Sequence, residues 1–122
     1  MIGIDLIKTS RMNRLLERFG DKALQKFLNQ DEIKLIKNYK TAAGFWAAKE
    51  ACSKALGVGI GTDCNFHDIL ISKTNKGAPI LNLSNKVLNN FNITDTSLSI
   101  THDGEYAIAV VALESSASNK IQ

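Results

Sequence analysis

Apolar residues recur through the middle of the chain at the spacing of an α-helix. Thr41 is a possible N-cap and Gly57 a possible C-terminal cap, so the pattern predicts a helix over roughly 42–56. At about 100° per residue, one side of this helix is apolar and the other is polar. The apolar side carries Phe45, Ala48, Cys52, Ala55 and Leu56, and the polar side carries Trp46, Glu50, Ser53 and Lys54, with Lys49 at the border. The simplest structural interpretation of the polar side is a solvated face with a Glu50–Lys54 ion pair.

The first apolar segment, residues 2–7, is typical of a buried strand. Asp5 lies within it, on the face that it shares with Gly3 and Ile7. A carboxylate in an apolar strand is costly unless it is paired or bound to a cation. Asp5 therefore either caps a neighbouring backbone group, or pairs with Lys8 or Arg11, or belongs to a functional site.

A short amphipathic helix is predicted over about 11–19, with Ser10 as its N-cap. Its exposed side carries an arginine ridge, defined as Arg11, Arg14 and Arg18, with Leu15 beside it; Met12, Leu16 and Phe19 lie on the inward side. Such ridges are usually solvated. No aromatic residues interleave with the arginines, which disfavours a nucleic-acid partner. An acidic protein helix with an apolar stripe would suit the ridge better.

The remaining segments predict an α+β fold, a mostly antiparallel sheet packed by helices. Three more short helices are expected: one over about 22–28, one that starts from a cap at Asp31, and one over about 85–91 with Ser84 as its cap. Strands are expected over 68–73, 78–83, 97–102 and 105–113. Asp103-Gly104 is a strong hairpin signal. The last strand is nearly all apolar, so we expect it to be buried on both faces. One domain would cover residues 1–114, followed by a polar tail over 115–122.

Bulk composition is that of an ordinary globular domain. The chain has 122 residues, is 44% hydrophobic and 22% charged, and has a formal net charge of +3. No apolar run approaches the roughly 20 residues that span a bilayer, and the start lacks the basic region of a signal peptide. The two cysteines give neither a metal-binding spacing nor a disulfide framework. We therefore expect a cytoplasmic protein with no membrane association.

Four short segments occur in a characteristic order along the chain. They are Gly3-Ile4-Asp5 with Arg11 six residues later, the run from Trp46 to Ala55, Gly77-Ala78-Pro79, and Ser99-Ile100-Thr101-His102. Together they closely resemble the holo-acyl-carrier-protein synthases, the small 4′-phosphopantetheinyl transferases of bacterial fatty-acid synthesis. The resemblance covers the whole chain. It implies transfer of 4′-phosphopantetheine from coenzyme A to a serine of apo acyl carrier protein, with release of adenosine 3′,5′-bisphosphate.

The resemblance also implies roles for individual residues. Asp5 and Glu50 would hold Mg²⁺ and, with Lys54, form the catalytic group; Lys49, Ser53, Lys54, Pro79 and His102 would bind coenzyme A; Arg11, Arg14 and Arg18 would bind the carrier protein. Phe45 stands where many relatives carry arginine, so one expected positive contact with the nucleotide is missing. Members of this short type are homotrimers with active sites between subunits, built on the 4′-phosphopantetheinyl transferase-like fold with one domain per chain.

Two other functions are compatible with parts of the pattern. A related phosphopantetheinyl transferase could serve carrier proteins of polyketide or peptide synthetases. A non-catalytic module could bind a carrier protein through the arginine ridge, but it would need no cation site, so the joint presence of Asp5 and Glu50 favours an enzyme. Two general bases stay open: Glu50 acting through a water, and a metal-bound hydroxide.

Overall fold

The computed structural model describes residues 1–116, and its strands form two antiparallel sheets. The elements in chain order are β1 (Ile2–Lys8), α1 (Thr9–Phe19), α2 (Asp21–Gln25), α3 (Gln30–Ile33), α4 (Tyr39–Leu56), a 3₁₀ turn (Phe66–Asp68), β2 (Ile69–Lys73), β3 (Pro79–Leu83), α5 (Asn85–Phe91), β4 (Ile93–Asp103) and β5 (Tyr106–Ser115). The larger sheet has the order β1-β5-β4, and β2 pairs with β3 in a separate ribbon. The predicted α+β class is confirmed.

Helix α4 lies across the inner face of the three-stranded sheet. A Cβ added to Gly3 in β1 would collide with the carbonyl oxygen of Ala51 in α4, so this close approach requires glycine. Earlier in α4, a Cβ added to Gly44 would lie 3.0 Å from Cγ2 of Ile100 in β4. The first half of α4 therefore packs over the β4 edge of the sheet, and its second half packs over the β1 edge.

Burial of α4 extends further round the helix than the sequence predicts. Phe45 and Cys52 are buried as expected, but Lys49 and Ser53 are also fully buried. The reason is a second layer, formed by α2, α3, the 3₁₀ turn and β2, which covers the side of α4 that faces away from the sheet. Of the residues predicted to be polar in the second half of α4, only Glu50 and Lys54 are at least partly exposed.

The outer face of the three-stranded sheet is exposed and apolar in this chain. Its exposed side chains, with their relative accessibilities, are Ile2 (74%), Ile4 (59%), Leu6 (54%), Val110 (38%) and Tyr106 (36%). The inner positions of β5, from Ala107 to Leu113, are buried under α4. The prediction that the last strand is buried on both faces is therefore wrong for the single chain, because no element of residues 1–116 covers the outer face.

Helix α4 begins at Tyr39, three residues earlier than the predicted start at residue 42. Asn38 is the N-cap, and its Oδ1 accepts hydrogen bonds from the backbone N–H groups of Lys40 (2.9 Å) and Thr41 (3.2 Å). The proposed cap at Thr41 is wrong, since Thr41 already lies within the first turn. The end of the helix is as predicted: Gly57 adopts φ 80°, a left-handed conformation that glycine accepts without strain.

The predictions of capping residues for the shorter helices are right for Ser84 and wrong for Asp31 and Ser10. Ser84 caps α5 as predicted. Helix α3 is capped by Asn29 and not by Asp31, because Asn29 and Glu32 form a reciprocal capping box. Helix α1 continues directly from β1 without a side-chain cap, so the predicted cap at Ser10 is wrong.

Both strands of the terminal hairpin extend further from the turn than predicted. Strand β4 begins at Ile93, and β5 continues to Ser115, which pairs with Ile93. Residues 117–122, the rest of the predicted tail, lie outside the described residues. Within residues 1–116, none of the helices combines the length and the apolar character needed to cross a bilayer.

Candidate active site

Asp5 and Lys54 meet at the flank of α4 that overlies β1. Nζ of Lys54 donates a hydrogen bond to Oδ1 of Asp5 at 2.8 Å. The Asp5 side chain is 14% exposed and that of Lys54 is 52% exposed, so the pair lies at the surface with the carboxylate on its inner side. Lys8, Arg11 and Glu50, the partners expected from simple sequence proximity, form no salt bridge with either residue in the described part of the chain.

Glu50 lies one helical turn before Lys54 and completes a small charged cluster. Its carboxyl is half-buried; the burial raises its pKa, and the negative charge of Asp5 raises the pKa further, while Lys54 acts in the opposite direction. The hydrogen bond to Asp5 raises the pKa of the Lys54 ammonium group above its usual value. Lys54 therefore stays protonated near neutral pH, and two carboxylates lie close enough to repel each other.

This carboxylate pair has the chemistry of a magnesium site. Asp5 and Glu50 offer hard oxygen ligands, and their mutual repulsion would be relieved by a cation. Within residues 1–116, no group of three or more His, Cys, Asp or Glu side chains is placed to hold a metal. Mg²⁺ is commonly held by one or two carboxylates together with waters and substrate phosphates, so a pair of carboxylates is sufficient.

A cleft of about 240 Å³ opens near the other flank of α4, over β4. Its lining residues come from the start of α4, from the β2–β3 ribbon and from β4: Lys37, Thr41, Gly44, Phe45, Lys73, Gly77, Pro79, Ile100 and His102. The structure thus brings Pro79 and His102 together, as the sequence predicts for residues that bind one nucleotide. Lys37 and Lys73 also line this cleft, and no local pattern in the sequence predicted a role for either.

His102 is held against the first turn of α4. Its Nε2 lies 2.9 Å from the carbonyl oxygen of Lys40. A carbonyl only accepts hydrogen bonds, so Nε2 carries the proton and donates it, which leaves Nδ1 as the acceptor of the neutral ring. A Cβ added to Gly44 would lie 3.2 Å from Nε2, so the imidazole packs closely on the helix backbone.

The charged cluster and the cleft lie on opposite sides of α4. At about 100° per residue, Phe45 lies about 40° from Thr41, whereas Glu50 lies about 180° and Lys54 about 220° from Thr41 around the helix. A helix with its side chains is about 10 Å across, so the body of α4 stands between the two groups.

Lys49 and Ser53 belong to neither group, because the structure places both side chains inside the protein. Nζ of Lys49 donates to Oε1 of Glu32 at 2.9 Å and to the carbonyl oxygens of Phe27 (2.7 Å) and Phe66 (3.0 Å). Oγ of Ser53 donates to the carbonyl oxygen of Glu50 at 2.7 Å. This geometry contradicts direct phosphate contacts by either side chain. The second layer over α4, which brings distant segments together, is the physical reason.

The arginine ridge is exposed on α1, as predicted, and its apolar companion surface is larger than expected. Leu15 and Phe19 are exposed beside the arginines, with Phe19 50% exposed. The guanidinium carbon of Arg18 lies 5.2 Å from the centroid of the Phe19 ring. The inward placement predicted for Phe19 is wrong, because the chain turns away at Gly20 and leaves the last turn of α1 uncovered.

Comparisons with a family model and with known proteins all point to the same family. Residues 1–111 match the model of the 4′-phosphopantetheinyl transferase superfamily. The chain is 69% identical to the holo-[acyl-carrier-protein] synthase of Sulfurimonas denitrificans over 99% of this chain and 100% of that protein. It is 57% identical to the enzyme of the same name from Nautilia profundicola over 93% of this chain and 98% of that protein.

Solved structures agree with these matches. The holo-[acyl-carrier-protein] synthase of Helicobacter pylori, in complex with coenzyme A, superposes with a TM-score of 0.91 at 48% identity, covering 93% of this chain and 100% of that chain. The Bacillus anthracis enzyme, in complex with coenzyme A (3′,5′-ADP), gives a TM-score of 0.79 at 37% identity, covering 94% and 96%. The chain belongs to the 4′-phosphopantetheinyl transferase superfamily.

Proposed function

We propose that this chain is a magnesium-dependent enzyme that transfers 4′-phosphopantetheine from coenzyme A to a serine hydroxyl of apo acyl carrier protein. The products are holo acyl carrier protein and adenosine 3′,5′-bisphosphate. The family and the names of the relatives establish the class of reaction. The observation that carries the assignment of the reacting groups is the cluster of Asp5, Glu50 and Lys54 on one flank of α4.

Phosphoryl transfer at a diphosphate depends mainly on positioning and on neutralising charge. Mg²⁺ held by Asp5 and Glu50 would supply Lewis-acid stabilisation of the diphosphate. Lys54 is protonated and half exposed beside Asp5, so its ammonium group would offset the charge that develops on the leaving bisphosphate. Two groups are candidates for the base that takes the proton of the carrier serine: Glu50 acting through a water, and a hydroxide bound to the metal.

The cleft over β4 is the proposed nucleotide site. Pro79 and Ile100 provide apolar surface for the adenine, and His102 presents Nδ1 beside it. The Helicobacter pylori and Bacillus anthracis enzymes were solved in complex with coenzyme A, which supports coenzyme A as the substrate here. Lys49 and Ser53 are left out of the proposed phosphate contacts because both side chains are buried and already hydrogen-bonded.

We propose further that the active enzyme is a homotrimer with active sites shared between subunits. The cleft and the carboxylate pair lie on opposite flanks of α4, so one coenzyme A is better served by the cleft of one copy and the carboxylates of the next. The exposed apolar face of the sheet, with Ile2, Ile4 and Leu6 at its edge, supports self-association, since apolar patches of this kind usually mark interfaces.

The arginine ridge and its apolar companions are the proposed docking surface for the carrier protein. Arg11, Arg14 and Arg18 would pair with acidic groups, and Leu15 and Phe19 would contact an apolar stripe on the same partner helix. The surface starts three residues after β1 ends and six residues after Asp5, so a carrier docked there would present its serine near the carboxylate pair.

A reducing cytoplasm and a role in fatty-acid synthesis complete the proposal. Cys52 and Cys64 are both buried free thiols, and burial raises their pKa values to about 12 and about 11 respectively. Such thiols are poorly reactive, as expected for structural cysteines in a reducing compartment.

The test is an intact-mass assay of apo acyl carrier protein incubated with the enzyme, coenzyme A and Mg²⁺. We expect the carrier to gain the mass of one phosphopantetheine, and we expect chelation of the metal with EDTA to prevent the gain. Undiminished transfer in EDTA would contradict the metal assignment, and no transfer under any condition would contradict the function itself.

A further inference from the structure

The ammonium group of Lys54 lies beside Asp5, where a bound cation would also lie. Its Nζ donates hydrogen bonds to Oδ1 of Asp5 at 2.8 Å and to the carbonyl oxygen of Ile4 at 3.3 Å. Carboxylate and carbonyl oxygens are also the ligands that hard divalent cations prefer. Within residues 1–116, Asp5 forms a salt bridge with Lys54 alone, so this lysine is the counter-ion of the carboxylate in the free enzyme.

Lys54 is able to leave Asp5 without a change in the fold. It belongs to the last turn of α4, and its side chain is 52% exposed, whereas that of Asp5 is 14% exposed. The lysine stem is flexible and carries a compact charge at its end, so the ammonium group is able to move while the helix stays in place. An anionic group bound next to the carboxylates would therefore compete with Asp5 for this ammonium group.

The charges of the cluster oppose a divalent cation as long as Lys54 stays on Asp5. The carboxylates of Asp5 and Glu50 and the ammonium group of Lys54 together carry one net negative charge, which a divalent cation would turn into one net positive charge. Because the cluster is partly buried, solvent screens the repulsion between the ammonium group and such a cation only in part. If Lys54 moves away, two carboxylates remain to balance the charge of one divalent cation.

We propose that Lys54 couples metal binding to coenzyme A binding. Lys54 neutralises Asp5 in the free enzyme and moves to the diphosphate of coenzyme A when a divalent cation takes the carboxylate pair. The inference rests on the proposed function and deepens it. Lys54 thus competes with the cation in the free enzyme, and coenzyme A removes the competitor by giving its ammonium group another anionic partner. Linkage requires the cation to tighten coenzyme A binding by the same factor.

The first experiment measures metal binding to the full-length protein without coenzyme A or carrier protein. Mn²⁺ takes the same oxygen ligands as Mg²⁺, and electron paramagnetic resonance reports the free Mn²⁺ in a titration. Lys54→Met should bind Mn²⁺ about fivefold more tightly than the wild type, because it lacks the competing ammonium group. Lys8→Met is the matched control: Lys8 is an exposed lysine three residues after Asp5 that forms no salt bridge within the described residues, so its removal should change the affinity less than about twofold.

The second experiment measures the affinity for coenzyme A by calorimetry, with and without saturating Mn²⁺ and again without a carrier protein. Mn²⁺ should tighten coenzyme A binding in the wild type and in Lys8→Met. The gain should be about fivefold smaller in Lys54→Met, since linkage requires this difference to match the difference in Mn²⁺ affinity between the free proteins.

Three results would overturn the inference. Lys54→Met could bind Mn²⁺ no more tightly than Lys8→Met, it could bind Mn²⁺ more weakly than the wild type, or its gain in coenzyme A affinity could equal that of the wild type. Failure of the proposed function would look different: the wild type would not modify a carrier protein in the presence of Mg²⁺ and coenzyme A, whatever the Mn²⁺ affinities of the variants.

Discussion

The two flanks of helix α4 have opposite chemical character. The flank over β1 carries Glu50 and Lys54, with Asp5 beside them, and the repulsion between its two carboxylates is only partly offset by Lys54. The flank over β4 forms an apolar cleft whose charged lining residues are cationic. In the proposed function, one helix organises two half-sites, one for a metal and the reacting diphosphate and the other for a nucleotide. Because α4 separates the two flanks, we propose that a second copy of the chain supplies the other half-site.

The largest effect should come from the carboxylates themselves. Asp5→Asn and Glu50→Gln each keep the shape of the side chain and remove its negative charge. Because the proposed metal site needs both carboxylates to neutralise charge at the diphosphate, each variant should lower the rate of transfer to apo carrier protein by about a hundredfold or more. Intact-mass kinetics in Mg²⁺ measure the loss, and circular dichroism checks the fold. Near-normal turnover in either variant would remove that residue from the metal site.

Lys49 tests whether the second layer over α4 is purely structural. Lys49→Met leaves the Glu32 carboxylate buried without its partner and should lower the free energy of unfolding by about 3–5 kcal/mol. Adding Glu32→Gln should recover part of that loss. Urea unfolding of both variants gives the comparison. A Lys49→Met protein of unchanged stability but strongly raised KM for coenzyme A would instead place this lysine at the phosphates.

Charge reversal on the arginine ridge should have a smaller effect, confined to the carrier protein. Arg14→Glu and Arg18→Glu should each cost about 1 kcal/mol in carrier recognition, which raises KM for apo carrier protein several-fold and flattens its salt dependence. KM for coenzyme A should stay constant. Weakened coenzyme A binding with intact carrier binding would move the ridge to the nucleotide half-site.

The smallest expected effect is on the stability of the metal-free protein. The pKa of Glu50 is raised in the folded state, so its ionised form opposes folding at pH values above its ordinary range. Glu50→Gln should therefore raise the Tm in EDTA slightly at neutral pH, and this gain should vanish as the pH falls below the ordinary pKa of a glutamate, where the wild-type carboxyl is protonated in both states. A gain that grows on acidification would contradict the sign of the shift.

Local pattern was sufficient to predict the elements that carry the charged cluster. Alternation in β1 correctly places Asp5 on one face with Gly3 and Ile7, which the structure shows to be the inner face, and the cap at Gly57 correctly ends α4. The order of segments along the chain was sufficient to identify the family. These features depend on residues that are close in sequence, or on a spacing that the sequence displays directly.

Non-local packing explains what the sequence could not predict. Lys49 is buried because Glu32, 17 residues away, meets it under a layer formed by distant segments. Lys37 and Lys73 converge on one cleft because the β2–β3 ribbon packs beside the start of α4. Phe19 satisfies the helical period for burial, yet no element of residues 1–116 buries it on the last turn of α1, and it is 50% exposed. In each case the environment of the side chain depends on how distant segments pack, and the local sequence pattern carries no information about that packing.

Mixing two inactive variants tests most directly whether the half-sites belong to different copies of the chain. Glu50→Gln disables the carboxylate flank, and Lys37→Glu/Lys73→Glu disables the cleft. When the two proteins are unfolded and refolded together and assayed at low coenzyme A, random assembly should give about a quarter of the sites an intact half from each variant, and so about a quarter of wild-type activity. A mixture no more active than its separate components would show that each chain holds a complete site of its own, which would contradict the account.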